Sequence, residues 1–182
     1  MQLTQGLAWP NRTLLVILAS ILAIGFFLRA WNIFSQGHWS GDGLLYYELS
    51  RGLLEDGRVF SGKTVRTIIT RSNLDFYDNL FLQGKYGHIL LIQASFLVAG
   101  VKLEAVFLLN LLLGTATLFV IFLLGKTVFN EETGLASAAV GALSLTLINY
   151  SRTGLTPSGS MFFFALGLVF FFRHLKLRIS WE

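Results

Sequence analysis

No cysteine occurs in the chain, which excludes disulfides and thiolate-bound metals. Charge is scarce too. Asp, Glu, Lys and Arg make up 13% of the residues, about half the share a soluble domain carries. That leaves too few charged side chains to cover a water-exposed surface. No Lys/Arg-rich run with interleaved aromatics is present, and no nucleic-acid role is assigned. No internal repeat or low-complexity linker breaks the chain. Nor does a small-x-small cleavage site follow the first apolar run, where Arg29, Ala30 and Trp31 stand instead. That run therefore reads as a retained anchor, ahead of a removed signal peptide.

What is present is grease. The 182 residues are 54% hydrophobic, with a mean hydropathy of +0.64. The class this implies is an all-α integral membrane protein built as one membrane domain over 1–182, with about four transmembrane helices. The first span is placed at 13–34, with Arg29 snorkelling to the interface and Trp31 anchoring there. An outer loop with amphipathic interfacial helices follows at 35–103. Further spans are placed at 104–125, 134–149 and 155–172. The third is rich in Ala, Gly and Ser, which lets helices approach closely. The apolar segment 87–101 is short, and parity decides against its crossing. Arg12 and the basic cluster Arg173, His174, Lys176 and Arg178 both favour the cytoplasm, so the number of crossings is even. The long loop and the link 150–160 then share the outer side, and 126–133 lies inside. The net charge of +4, with basic residues at loops and span ends, serves topology.

The segment Gly41 to Gly57, GDGLLYYELSRGLLEDG, stands out against this background. Leu45, Leu49 and Leu53 recur at helical spacing, as in a helix lying on a membrane surface. Asp42 sits between two glycines, and Tyr46 follows one turn later. A carboxylate at a membrane rim can act as a general base on an acceptor hydroxyl or amine, or bind a divalent cation. By spacing alone, capping of the following helix is the stronger reading of Asp42. Lys85 and Arg152 each flank an apolar run. Both suit interfacial anchoring, and either can pair with a lipid phosphate, Arg in bidentate fashion. His88 stands alone, with no second ligand at metal spacing, and reads as a packed histidine. GRVFSGKT at Gly57 to Thr64 matches G-x-x-x-x-G-K-T. It lacks the preceding buried strand and following helix that a nucleotide site needs, and reads as a chance match. The N-x-S/T triplets at Asn11 and Asn149 lie against span ends and carry no meaning.

These pieces also fall in a familiar order. A first span ends in LRAWNIF, and GDGLLYYELSRGLLEDG follows. Then come KYGHILLIQASF, the turn LGKTVFNEETG and the YSR of Tyr150 to Arg152. The whole resembles the N-terminal membrane module of GT-C fold glycosyltransferases, in the protein O-mannosyltransferase and aminoarabinose-transferase branch. The resemblance implies that Asp42 activates the acceptor or organises the reaction centre, with Tyr46, Lys85 and Arg152 on the substrate side; no metal ligand is assigned, and a divalent cation stays compatible with the site. It implies a sugar donor carried on a polyprenyl phosphate or diphosphate, a hexosyl or pentosyl transfer, and a multi-pass place in the cell membrane, which is the inner membrane if the cell is Gram-negative. The chain departs from the pattern at Gly43, where the family often has Glu. It departs again at Thr156, Pro157 and Ser158, where another acid is usual. It is also shorter than a full enzyme of the family. The rival expectation is a non-catalytic polytopic subunit or scaffold with a membrane-protein partner. A transporter half would instead place ionisable groups within the spans, whereas here they collect at span ends.

Overall fold

The computed structural model describes residues 12–36, 41–56 and 86–179, and every regular element among them is helical. In chain order these are α1 (Arg12–Ala30), α2 (Ile33–Gln36), α3 (Gly41–Asp56), α4 (Tyr86–Ala99), α5 (Leu103–Val128), α6 (Glu131–Leu143), α7 (Leu145–Ser151) and α8 (Pro157–Ile179). The all-α membrane class is thus observed. Three helices, α1, α5 and α8, are long and apolar enough to cross a bilayer. The pair α6 and α7 makes a fourth if its two arms count as one span.

The hub is α5. Its 26 residues reach about 39 Å at the helical rise. Half of its apolar window is buried in the protein, against 17% for α1 and for α8. Those two helices leave large side chains such as Val16, Phe27, Phe164 and Phe170 outward, as lipid-facing helices do. The α5–α6 turn is tightly specified. Asn130 caps α6 by accepting from the Thr133 N–H at 2.8 Å, and Lys126 Nζ pairs with Glu131 Oε1 at 2.6 Å.

The sequence suggests one uninterrupted span over 134–149, but the chain breaks there. Ser144 takes an extended conformation (φ −65°, ψ 113°), closing α6 and opening α7. The two arms meet at 65°. The Ser144 hydroxyl can serve α7 as a cap, accepting from the Leu147 N–H at 3.5 Å.

A second difference concerns Arg29. Instead of snorkelling to the interface it is fully buried, 0% exposed, among α1, α6 and α7. The physical reason lies at the break, where the Gly141 and Ala142 carbonyls end α6 and the guanidinium supplies donors that a lipid environment cannot.

In α3 the first two positions of the expected apolar stripe, Leu45 and Leu49, are buried, and the side chain of the third, Leu53, lies outside what the structure describes. Leu45 and Leu49 pack against Ile89, Ile92 and Phe96 of α4 and Ala105 and Val106 of α5. The stripe therefore faces the protein. The 14 residues of α4 span about 21 Å, short of a ~30 Å hydrocarbon core. The GRVFSGKT motif and Lys85 lie outside the described residues.

Candidate functional site

One end of the bundle gathers α3, the start of α4 and the link between α7 and α8. Asp42 occupies the first turn of α3 and is exposed. The N-terminal end of a helix carries positive dipole character, which favours a carboxylate there. One turn on, Tyr46 is 2% exposed, so it and Asp42 do not share an open face. Its ring meets that of His88 edge-on, with centroids 5.4 Å apart. Contacts of this kind contribute about 0.5–1.5 kcal/mol beyond their buried area. A second edge-on pair, Tyr47 with Phe96 at 5.5 Å, repeats the α3–α4 contact farther along. The Ser50 hydroxyl donates to the Tyr46 carbonyl at 2.7 Å, and the Gln93 amide donates to the Ser50 carbonyl at 3.3 Å. Helix α3 is therefore held on α4 by both packing and polar contacts.

The link 152–156 closes onto this pair. His88 Nε2 lies 3.2 Å from the Gly154 carbonyl oxygen, in hydrogen-bond contact. This is the packed, hydrogen-bonded histidine that its sequence context suggests. A Cβ placed on Gly154 would lie 3.2 Å from the Gly43 Cα, closer than ordinary contact. Glycine at 154 thus lets the link touch the helix that carries Asp42. Downstream, the Ser158 hydroxyl donates to the Tyr150 carbonyl at 2.9 Å, across the link.

Arg152 follows the last residue of α7 as its C-cap, its backbone N–H donating to the Asn149 carbonyl at 3.0 Å. The residue is partly exposed, and its buried Nε has no hydrogen-bond partner among the described residues. The guanidinium as a whole is partly exposed, and an accessible guanidinium can bind an anion. Asp42 and Arg152 thus belong to segments in direct contact, through Gly43 and Gly154. Among the described residues, no three His, Asp or Glu side chains gather where they could hold a metal. What this arrangement can do chemically is present an exposed carboxylate and a partly exposed guanidinium at one rim of a membrane bundle.

Two residues that order this end were not singled out as functional from the sequence. Ser151 packs against Gly114 of α5 so closely that a Cβ on Gly114 would fall 1.9 Å from the Ser151 Oγ. Arg29 donates to that same Oγ at 3.3 Å. An arginine at the edge of an apolar run was the available signal, since ionisable residues at membrane depth usually have a partner and a purpose.

A family model described as dolichyl-phosphate-mannose-protein mannosyltransferase matches residues 87–181, just over half of the 182-residue chain. The matched region covers α4 almost entirely and all of α5 to α8. No curated protein and no solved structure is matched by the chain.

Proposed function

The chain belongs to the dolichyl-phosphate-mannose-protein mannosyltransferase family, and from that premise we propose a specific activity. It is part of a membrane glycosyltransferase that moves a sugar from a polyprenyl-phosphate-linked donor to an acceptor on the outer face. Asp42 acts as general base on the acceptor hydroxyl or amine. The acceptor attacks the anomeric carbon, its proton passes to Asp42, and the bond from that carbon to the phosphate oxygen breaks. The departing phosphate gains negative charge, which Arg152 and Lys85 offset. Tyr46 contributes from the inner side of α3, through its contact with His88, to the shape of the substrate site. A polyprenyl donor cannot leave the bilayer, so a reaction centre at the bundle's rim suits it.

The contact between Gly43 and Gly154 carries this reading, because it brings the segments of Asp42 and Arg152 together. The test is sugar transfer from a radiolabelled polyprenyl-phosphate donor in reconstituted vesicles, comparing the protein with Asp42→Asn. Loss of a positioned general base lowers turnover by about 10²–10⁴-fold. Equal turnover removes Asp42 from the mechanism. Absence of transfer in both, with donor binding retained, favours the non-catalytic subunit.

A further inference from the structure

Arg29 belongs to a membrane-spanning helix and has no water-exposed surface. A charge held that way needs full compensation from fixed polar groups. It receives four hydrogen-bond acceptors. Nη1 donates to the Gly25 carbonyl one turn back at 2.9 Å and to the Ala142 carbonyl at 3.3 Å. Nη2 donates to the Gly141 carbonyl at 3.1 Å, and Nε to the Ser151 hydroxyl at 3.3 Å.

The choice of acceptors is informative. Gly141 and Ala142 form the last turn of α6, the negative end of that helix's dipole. Ser151 is the last residue of α7, immediately before Arg152. One guanidinium therefore ties both arms of the broken span to α1, across the 65° bend. Beyond Ser151 the chain enters the link whose Gly154 meets Gly43 and whose carbonyl meets His88.

We propose that Arg29 is a positioning residue: by bridging the end of α6 to the end of α7 it sets their bend and delivers the Arg152 link against the helix bearing Asp42. Its meaning for sugar transfer rests on the reading given above, but the geometric claim does not. Lysine cannot replace it. A single ammonium lacks the planar fork that reaches carbonyls on one side and a hydroxyl on the other.

The absence of native cysteine makes the test clean. Asp42→Cys with Arg152→Cys, at an exposed and a partly exposed position, reports the approach at the site when bridged by a short bis-maleimide in membranes, and it leaves both contact glycines in place. Lys126→Cys with Glu131→Cys, bridged by the same reagent, reports packing at the α5–α6 turn. With Arg29 present, both pairs cross-link. In Arg29→Gln, and to a lesser degree in Ser151→Ala, the 42/152 pair should form about tenfold more slowly while the 126/131 pair is unchanged. Arg29→Lys should resemble Arg29→Gln. Three results overturn the proposal: 42/152 cross-linking that ignores Arg29→Gln, failure of that pair with Arg29 in place, or equal loss at both pairs, which would make Arg29 a general packing residue. Sugar transfer is scored separately. If the unsubstituted protein transfers nothing while the 42/152 result holds, the positioning role stands and only the transferase reading fails.

Discussion

Replacing Gly114 with alanine probes the tightest helix contact near the site. The added Cβ would sit 1.9 Å from the Ser151 Oγ, 2.6 Å from its Cβ and 3.5 Å from its Cα. The last distance is ordinary contact, so the conflict is with the serine side chain. That side chain cannot simply rotate away. Its hydroxyl donates to the Leu147 carbonyl at 2.6 Å and accepts from Arg29 at 3.3 Å. Each such bond contributes about 0.5–1.5 kcal/mol net, with the charged donor at the upper end. Overpacking a filled interior costs about 1–3 kcal/mol. Either the helices separate or the hydroxyl gives up its bonds, and both routes point to a loss of roughly 2–4 kcal/mol. Unfolding by SDS in mixed micelles measures this. The control is Ser151→Gly, which removes both clashing atoms and leaves only the Cα. In that background Gly114→Ala should cost less than about 1 kcal/mol, giving a coupling energy of roughly 1–4 kcal/mol in the double-mutant cycle. A Gly114→Ala protein as stable as the parent, or an equal cost in both backgrounds, would refute the close approach of α5 and α7.

Four smaller perturbations bear on the helix ends and on the arginine at the site. Asn130→Ala removes the cap of α6 and should cost about 1 kcal/mol, whereas Ser144→Ala, whose capping contact is longer, should cost less; both are read by the same SDS unfolding. Glu131→Gln breaks the partly exposed pair with Lys126 and should change stability by less than about 1 kcal/mol, with a smaller effect at high salt. Arg152→Lys keeps the charge but loses the bidentate fork. If that arginine binds the donor phosphate, the KM for the lipid-linked sugar should rise about tenfold while the stability stays within about 0.5 kcal/mol.

Much of the architecture was readable because long apolar runs have few alternatives. The stretch from Arg12 to Ala30 and the 26 residues of α5 can only be helices in a bilayer, where every backbone group must be satisfied within its own segment. The family was expected from the order of GDGLLYYEL, KYGH and YSR, of which the matched region 87–181 contains the YSR and not the GDGLLYYEL. The break at Ser144 was not readable. An Ala/Gly/Ser-rich run has the same hydropathy straight or bent, and the cation that meets the carbonyls at the bend comes from a residue 113 positions away in sequence, Arg29 to Ala142. The inward turn of Tyr46 was hidden for a similar reason. Spacing puts it one turn from Asp42, but only the placement of α4, and of His88 on it, decides which flank of α3 is covered. The contact of Gly43 with Gly154 joins segments that hydropathy alone could only assign to the same side by counting crossings.

That shared side is the claim on which the reaction centre depends, and it can be tested without any substrate. Single cysteines at positions 42, 130 and 152 in this cysteine-free chain are treated with a membrane-impermeant maleimide on intact cells and on inverted vesicles. Positions 42 and 152 should be labelled together from the outer face, and position 130 only from the opposite one. Labelling of 42 and 152 from different faces would separate the carboxylate from the guanidinium and contradict the proposed site.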